Sequence, residues 1–373
     1  MLNEQQNQEI TRVDRDTPAG RLFRSYWLPV AVPLQLERRN PMPLEVLCEK
    51  LVLFRYGAGK LGLTADRCAH RGTSLSGGSE DVKTAGRIDK CGIRCPYHGW
   101  LYGPDGQCLE QPGEPTGSRF HEKIRIRAYP VEEKYGLIWT YMGDGEPPLI
   151  PPVDAAARTD GYHLNTIGIW PCNFYQICEN FVDPVHVSIL HAETDFDTSK
   201  FHATPTLEVK PTDLGMRIIA GRPGYERQSE FLFPTGIRIA LPFMQPTLHL
   251  MFWVVPINNI QTLSIHSWFL PLPEEMPQLE RESKIAQLKQ FLYEMDASDP
   301  LRHATKIMQQ DKFACASQGE IADRTQENLA QSDLGVMMLR RLFREAIRDA
   351  SAGRAPRGVL RDAPEVLRFD NVC

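Results

Sequence analysis

Two short loops, each carrying one cysteine and one histidine, constrain the fold of this chain more than any other feature. The first loop occupies residues 68–72 (CAHRG), and the second occupies residues 95–100 (CPYHGW). Between His70 and Cys95 lie 24 residues. Because each loop offers one thiolate and one imidazole, the pair is suited to clamp one metal centre. The sequence therefore predicts that both loops meet at a single inorganic group.

A set of two cysteines and two histidines has two chemical interpretations. One is tetrahedral zinc, and the other is a 2Fe-2S cluster in which the cysteines hold one iron and the histidines hold the other. Zinc fingers place both cysteines in one element and both histidines in another, whereas each loop here mixes the two. Gly72 and Gly99 follow the histidines, where an absent side chain lets backbone N–H groups approach cluster sulfurs. The spacing favours the cluster, and its predicted ligands are Cys68, His70, Cys95 and His98.

Turn residues divide the first part of the chain into short segments that are typical of an all-β module. Residues 45–54 form a β-branched and apolar run, and YGAGK at 56–60 predicts a hairpin turn. The densest proline cluster follows at 145–152, where four prolines remove four backbone donors. We expect a domain boundary there, which gives one domain at 1–150, including an N-terminal extension, and another at 151–373.

The second part of the chain combines strand-like runs with helical periodicity. A helical region is predicted at 173–190, and apolar residues recur at helical intervals after Pro273 and again between 334 and 347. The strand-like runs are 207–210, 216–220, 237–241, 248–255 and 263–270. The expected fold class is α+β, with an all-β first domain and an antiparallel sheet covered by helices in the second.

A second set of metal-binding residue types lies in the helical region, in the pattern Asp183-x2-His186-x4-His191. Two imidazoles and one carboxylate on one face of Fe(II) leave positions open for O2, as a non-haem oxygenase requires. At about 100° per residue, positions i and i+5 lie roughly 140° apart on a regular α-helix. We therefore expect irregular backbone between the two histidines. Pro184 predicts a helix start with Asp183 as its N-cap.

The third ligand of such a site must be a carboxylate from elsewhere in the chain. Asp311 is the leading candidate, because it follows a predicted helix at 301–310. Other acids compete with it, although the ordinary role of an acidic side chain is a solvated one. These rivals are Glu193, Asp195, Glu320 and Asp323.

Three further runs accompany these patterns: residues 18–29 (PAGRLFRSYWLP), the run CAHRGTSL from 68, and residues 319–325 (GEIADRT). With them, the sequence resembles, over nearly its whole length, the oxygenase component of Rieske non-haem iron oxygenases. The resemblance is to the phthalate-dioxygenase-like branch, which includes aryl O-demethylases, and it implies a Rieske 2Fe-2S domain followed by a helix-grip-like catalytic domain. The residue roles that it implies are Cys68, His70, Cys95 and His98 on the cluster, His186, His191 and Asp311 on a mononuclear iron, and Asp183 as the carboxylate bridging the two centres.

The resemblance also implies an activity, in which O2 is activated to hydroxylate a small aromatic substrate. We expect an aryl carboxylate, which undergoes either ring dihydroxylation or oxidative O-demethylation. Electrons are expected from a separate NAD(P)H reductase of the flavin and 2Fe-2S type, because this chain has neither a glycine-rich dinucleotide fingerprint nor a plant-type ferredoxin motif.

Members of this family form head-to-tail rings, so the resemblance implies a homotrimer or a multiple of it. In such a ring the cluster of one subunit serves the iron of its neighbour. The implied role of Asp183 is to hydrogen-bond both His186 and His98 of the partner subunit.

Residues of the substrate pocket are predicted from position alone. Asn180 and Phe181 lie close enough to the iron pattern to line a pocket. An arginine from the sheet is expected to bind a substrate carboxylate bidentately. Arg238 is the predicted one, and Arg217 and Arg222 also lie in or beside strand-like runs.

Composition excludes several other classes of protein. With 42 Lys and Arg against 47 Asp and Glu, the net charge is −5, which gives no electrostatic case for nucleic acid. Residues 1–16 are polar, and the most apolar window, 250–255, is far shorter than the roughly 18 residues of a membrane span. Nine irregularly spaced cysteines favour reduced thiols. We expect a soluble, cytoplasmic protein without a membrane partner.

Two other functional interpretations stay open from the sequence. A non-enzymatic Rieske electron carrier needs only the first domain and uses the second for docking, but it leaves Asp183, His186 and His191 unexplained. A zinc-binding interaction protein needs only the Cys-His loops. The interval of 24 residues between the loops exceeds the usual one in the family, and a surface insertion at 80–90 accounts for the excess.

Overall fold

The computed structural model describes residues 1–78, 84–192, 202–241, 245–296, 307–362 and 367, without the side chains of 294–296. The chain forms two compact units. One spans Arg24–Pro147, and the other combines Met1–Phe23 with Pro148–Cys373. Several predicted features lie wholly or partly outside the described residues: the insertion at 80–90, the start of the helix at 301–310, Glu193 and Asp195.

The predicted division into 1–150 and 151–373 needs a correction at the N-terminus. Helices α1 (Glu4–Thr11) and α2 (Pro18–Phe23) belong to the second unit. Ile10 and Phe23 are fully buried, and the ring of Phe23 packs edge-on against Phe174 with centroids 4.9 Å apart. Because their apolar side chains are buried there, the N-terminal helices are part of the second unit rather than an extension of the first.

Within the described residues, the unit Arg24–Pro147 consists of small antiparallel sheets, as the turn-rich sequence predicts. Its elements are β1 (Trp27–Ala31), α3 (Pro33–Arg38), β2 (Met42–Val46), β3 (Glu49–Tyr56), β4 (Lys60–Ala65), β5 (Arg87–Asp89), β6 (Gly92–Arg94), β7 (Leu101–Tyr102), β8 (Cys108–Glu110), β9 (Val131–Lys134) and β10 (Leu137–Tyr141). The strand orders are β1-β10-β9, β2-β3-β4 and β5-β6-β7-β8. The two Cys-His loops follow β4 and β6, and their cysteines are buried in an apolar cluster with Phe54, Ile93 and Tyr102.

The second unit is a large antiparallel sheet with helices, so the α+β prediction is confirmed. Its elements after the proline cluster are α4 (Asp154–Ala157), β11 (Gly161–Trp170), α5 (Phe174–Phe181), α6 (His186–Leu190), β12 (Thr206–Pro211), β13 (Gly215–Arg222), β14 (Tyr225–Leu232), β15 (Gly236–Leu241), β16 (Leu248–Pro256), β17 (Thr262–Pro271), α7 (Gln278–Asp296), α8 (Ile307–Ala316) and α9 (Leu334–Ser351). The strand order is β11-β17-β16-β15-β14-β13-β12. No helix of the described residues is long and apolar enough to cross a membrane.

Some boundaries differ from the predicted ones. The predicted strand-like runs lie in β12, β13, β15, β16 and β17, but the sequence did not indicate β11 or β14. In β14, which reads YERQSEFL, charged residues on both faces hide the alternation. The predicted helix at 173–190 divides into α5 and α6, and Asp311 lies within α8 rather than after a helix.

The strand register separates the sheet of the second unit into two faces. Directly paired residues of an antiparallel ladder point to the same side, and the ladder joins Ile239 to both Ser229 and Leu250. We call this side the inner face; its residues include Ala220, Arg222, Arg227, Ser229, Ile239, Leu250, Phe252 and His266. Helix α5 packs on it, because the ring of Phe181 lies 4.3 Å from that of Phe252. The alternate residues, which include Arg217, Arg238 and His249, form the outer face.

Candidate metal centres

The two Cys-His loops come together with their cysteines inside and their histidines outside. Cys68 and Cys95 are 3% and 2% exposed, and their thiols contact each other. His70 and His98 are exposed, with ring centroids 4.5 Å apart. Two buried sulfurs and two exposed imidazoles fit a 2Fe-2S cluster whose inner iron takes the cysteines and whose outer iron takes the histidines.

A single zinc ion fits the same residues less well. The ligands of tetrahedral zinc lie about 2.0–2.3 Å from the metal, and therefore within about 4 Å of one another. In the described part of the chain, no group of three or more donor atoms within 4.8 Å of one another includes either of these cysteines or histidines. The geometry therefore favours the cluster over zinc.

The two loops share one backbone pattern. In each loop the N–H of the glycine four residues after the cysteine donates to the cysteine carbonyl, from Gly72 to Cys68 at 2.9 Å and from Gly99 to Cys95 at 3.1 Å. Both glycines have φ of +73°, which favours a residue without a side chain. The sequence predicted that backbone N–H groups approach sulfur at these turns. At Cys95 the amides of Tyr97 and His98 do so.

Two aromatic side chains support the loops, and the sequence analysis did not identify them. The Tyr102 hydroxyl lies 3.1 Å from Cys68 Sγ and accepts a hydrogen bond from the Ala69 N–H at 3.1 Å. Burial, followed by the contact with Cys68, raises the pKa of Tyr102 well above its ordinary value. The ring of Trp100 stacks on His70 at 4.5 Å. The available signal for both was position, because Trp100 is the last residue of the second loop and Tyr102 lies two residues beyond it.

The second constellation assembles from the two ends of helix α6 and from helix α8 of the second unit. His186 is the first residue of α6, His191 directly follows that helix, and Asp311 comes from α8. Asp311 Oδ1 lies 3.5 Å from His186 Nε2 and 3.2 Å from His191 Nε2. One donor atom from each of the three lies within 4.8 Å of the others. Although burial raises it, hydrogen bonds from the two imidazoles hold the pKa of Asp311 well below its ordinary value. A buried ionised carboxylate between two imidazoles is a fitting donor set for a divalent metal.

The chain leaves helical geometry between the two histidines, as the five-residue spacing requires. Helix α6 ends at Leu190, and His191 has φ −102° and ψ 12°. The predicted N-cap role of Asp183 was wrong, because α6 begins at His186 with Val185 before it. Asp183 Oδ1 accepts from the Val185 N–H at 2.8 Å instead, in a turn that precedes the helix.

Asp183 is the predicted bridging carboxylate. Its Oδ2 lies 3.9 Å from His186 Nδ1, which is longer than a hydrogen bond. Burial raises the pKa of Asp183 above its ordinary value. The side chain is therefore a partly buried acid beside the first histidine.

Further side chains hold the three candidate ligands. Gln310 Oε1 lies 2.7 Å from His191 Nδ1, which fixes the imidazole so that Nε2 faces Asp311. Asn180 Nδ2 donates to Asp311 Oδ1 at 3.3 Å, so the structure places this predicted pocket residue at a ligand. Gln310 was not predicted from the sequence, although its position as the immediate neighbour of Asp311 was an available signal.

The arginine that binds α6 is on the inner face. Arg222 donates to the carbonyl oxygen of Pro184 at 2.9 Å and to Ser188 Oγ at 3.0 Å. These hydrogen bonds tie β13 to the segment that carries Asp183 and His186. Arg222 therefore has a structural role here.

The structure corrects the prediction that Arg238 lines the substrate pocket. Arg238 is on the outer face, where it donates to Asp154 at 2.7 and 3.2 Å and lies 2.8 Å from His249. It is buried. Because it points away from α5 and is already paired with a carboxylate, it cannot also receive a substrate at the candidate metal site. Arg217, which pairs with Glu230, lies on the same outer face.

Of the rival acids, the two that lie within the described residues are not part of the His186–His191–Asp311 group. The Asp323 carboxylate is exposed and accepts hydrogen bonds from Thr325. Glu320 is also exposed. Phe181, the remaining predicted pocket residue, is buried against Phe252 on the inner face.

Comparison with known proteins defines the class of this protein. Residues 26–130 match the family model of the Rieske [2Fe-2S] domain. The chain is 31% identical over 376 residues to the 5,5'-dehydrodivanillate O-demethylase oxygenase subunit of Sphingobium sp., covering 97% of this chain and 84% of that protein. It is 28% identical over 404 residues to the phthalate 4,5-dioxygenase oxygenase subunit of Pseudomonas putida, covering 96% and 89%. The oxygenase in the reduced oxygenase–ferredoxin complex of carbazole 1,9a-dioxygenase shares the fold, with a TM-score of 0.69 at 22% identity over 91% of this chain and 93% of that one.

The chain therefore belongs to the Rieske oxygenase family. Within that family it is an oxygenase subunit of the branch that contains phthalate dioxygenase and dehydrodivanillate O-demethylase. The predicted resemblance and the predicted enzyme class are confirmed. Because the similarity to oxygenase subunits covers both units, it excludes the interpretation as an electron carrier with a docking domain.

Proposed function

We propose that this oxygenase subunit hydroxylates an aryl carboxylate at a mononuclear Fe(II) held by His186, His191 and Asp311. The assembly of these three donors in one buried group carries the proposal. Two imidazoles and a single carboxylate leave coordination positions open, which distinguishes an oxygenase site from a closed structural one. The names of the two relatives support the substrate class, because both phthalate and dehydrodivanillate are aromatic carboxylates.

In this proposal each residue of the chain has a defined task. Cys68, His70, Cys95 and His98 hold the 2Fe-2S cluster. When bound, the cluster supplies electrons singly and the Fe(II) supplies a binding site for O2. Gln310 orients the imidazole of His191, and Asn180 orients the carboxylate of Asp311.

The overall reaction balances in either of two ways. In dihydroxylation, a ring carbon–carbon pair takes both oxygen atoms of O2 with two electrons and two protons, and a cis-diol results. In O-demethylation, a methoxy carbon takes one oxygen atom, the other leaves as water, and formaldehyde is released. Both reactions need two electrons. These come from NAD(P)H and are delivered by a separate reductase of the flavin and 2Fe-2S type. The product distinguishes the two outcomes.

The assembly also belongs to the proposal. We infer a head-to-tail homotrimer, or a multiple of it, in which Asp183 hydrogen-bonds His98 of the partner subunit. The position of Asp183 beside His186 supports this role. An Asp183→Asn variant that keeps both metal centres and full coupled turnover would exclude it, and sedimentation gives the subunit number. The cytoplasmic location expected from the reduced cysteines stays a prediction.

Metal analysis of anaerobically purified protein tests the proposal. We expect three irons and two acid-labile sulfides per chain. Asp311→Asn should lose one iron and all O2-dependent product while keeping the visible spectrum of the cluster. Asp323→Asn is the matched control, because it removes an exposed carboxylate of the same type, and it should keep all three irons. If Asp311→Asn keeps three irons, the ligand assignment is wrong.

A further inference from the structure

Among the described residues, an arginine beside the candidate iron site forms no ion pair. Arg227 lies on β14 directly opposite Ala220 of β13, on the inner face. Its Nε is buried and has no hydrogen-bond partner. Among the described residues, no carboxylate lies within ion-pair distance of its guanidinium. Arg227 was not among the candidates from the sequence, because strand β14 was not predicted.

The charge of Arg227 acts on the candidate iron site. It interacts electrostatically with the carboxylates of Asp183 and Asp311 and with the imidazole of His191. Arg222, which shares the inner face, reaches Pro184 and Ser188 on either side of His186. The strand register and these interactions together place the Arg227 side chain at the site rather than on the outer face.

The other arginines of this sheet all have partners. Arg217 pairs with Glu230 and Arg238 pairs with Asp154, whereas Arg222 binds two neutral oxygen atoms of the α6 segment. Among the described residues Arg227 has neither kind of partner, although burying a charge without one is costly. A ligand that brings a negative charge removes this cost.

The charge balance of the site also favours an anion. Fe(II) with a single carboxylate ligand keeps one net positive charge. An ionised Asp183 offsets that charge, and Arg222 and Arg227 then leave the site with two positive charges in a partly buried environment. Phe181, two residues before Asp183 in the chain, packs on Phe252 of the same inner face, with ring centroids 4.3 Å apart. The inner face therefore combines positive charge with aromatic side chains.

We propose that Arg227 receives the carboxylate of the aromatic substrate at this site. The inference rests on the proposed function, which it deepens by naming the residue that selects the substrate class. The guanidinium is planar, so Nε and one Nη present parallel donors to the two carboxylate oxygens. Arg227 thereby determines specificity and takes no part in the chemistry at the iron.

Direct binding of two matched probes tests the proposal. The probes are 3-methoxybenzoate and 3-methoxybenzamide, which have the same shape but differ in charge. Isothermal titration of the anaerobic holoenzyme should show that the carboxylate binds about a hundredfold more tightly than the amide, as expected for a partly buried charge pair. In Arg227→Gln this preference should disappear, with affinity for the amide unchanged.

Two further variants complete the experiment. Arg227→Lys keeps the charge but loses the bidentate geometry. The preference for the carboxylate over the amide should therefore fall about tenfold. If Arg227→Gln does not fold, the Arg227→Lys variant still tests the proposal. Arg217→Gln is the matched control, because it removes an arginine of the adjacent strand from the outer face, and it should keep the full preference. Iron and sulfide contents verify that each variant keeps both metal centres.

Failure of this inference is distinct from failure of the proposed function. If the wild type binds both probes equally, or if Arg227→Gln and Arg227→Lys keep the full preference, Arg227 is not the carboxylate residue. If the preference follows Arg227 but no aryl carboxylate gives O2-dependent product, the assignment of Arg227 stands and the proposed reaction is wrong.

Discussion

Replacing Glu179 by glutamine should loosen the helix that precedes the candidate iron ligands, because it removes a charge from a buried ion network. Glu179 of α5 accepts three hydrogen bonds from Arg324 at 2.7–3.0 Å and one from Arg340 Nε at 2.7 Å. After the substitution Arg340 keeps its pair with Glu327. Among the described residues, Arg324 keeps only neutral acceptors.

The expected loss can be worked out from this geometry. Removing one member of a buried ion pair costs about 3–5 kcal/mol, and we expect about 3 kcal/mol because Arg340 stays paired. For a cooperative unit of about 250 residues, an unfolding entropy of about 2.1 cal/mol/K per residue gives about 0.5 kcal/mol/K. Tm should therefore fall by about 6 °C.

Thermal and urea unfolding, followed by circular dichroism, measure this loss. The matched control is Glu345→Gln, which makes the same chemical change at an exposed carboxylate 3.9 Å from Arg341. Its effect should stay within about 0.5 kcal/mol. Equal, small losses in the two variants would refute the view that the buried network holds α5 in place.

Three other substitutions test contacts around the two centres. Gln310→Leu removes the partner of His191 and should weaken Fe(II) affinity about 10–100-fold in equilibrium dialysis; unchanged affinity would show that the contact does not orient the ligand. Tyr102→Phe removes a hydroxyl 3.1 Å from a cysteine sulfur, so the reduced cluster loses stabilisation. Its reduction potential should fall by tens of mV in a redox titration, since a tenfold change in the equilibrium constant of a one-electron couple is about 59 mV. Gly72→Ala places a side chain at φ +73° at a cost of about 1–2 kcal/mol and should lower cluster content, whereas Gly113→Ala, in open space, should not.

The sequence predicts the Cys-His loops well, because cluster chemistry fixes both the residue types and their spacing. The same holds for His186 and His191, whose five-residue separation also predicts irregular backbone between them. The third candidate ligand, Asp311, is harder to predict. Asp311 comes from a distant helix, so no local spacing distinguishes it from the rival acids, and only the resemblance selects it.

The substrate side of the site could not be predicted in the same way. Whether an arginine faces the iron depends on strand register, since a shift of one residue moves a side chain to the opposite face. Charged residues on both faces of β14 obscured its alternation, so this strand was not predicted. The predicted arginine was therefore Arg238, which is on the outer face, and Arg227 was not considered. The assignment of the N-terminal helices to the first domain was wrong for a related reason. Their apolar side chains are buried against residues far along the chain, which the local sequence does not indicate.

Alternation along β13 to β15 assigns different tasks to neighbouring residues of one strand. Outer positions carry the ion pairs that join the sheet to its own strands and to α4, such as Arg238 with Asp154. Inner positions, such as Ser229 and Ile239, face the side on which a substrate is proposed to bind. Natural variation or engineering at inner positions can therefore alter which molecule is accepted while the stabilising pairs stay untouched. A library confined to inner-face residues other than Arg222 should accordingly yield a higher proportion of folded variants than one spread evenly along the same strands.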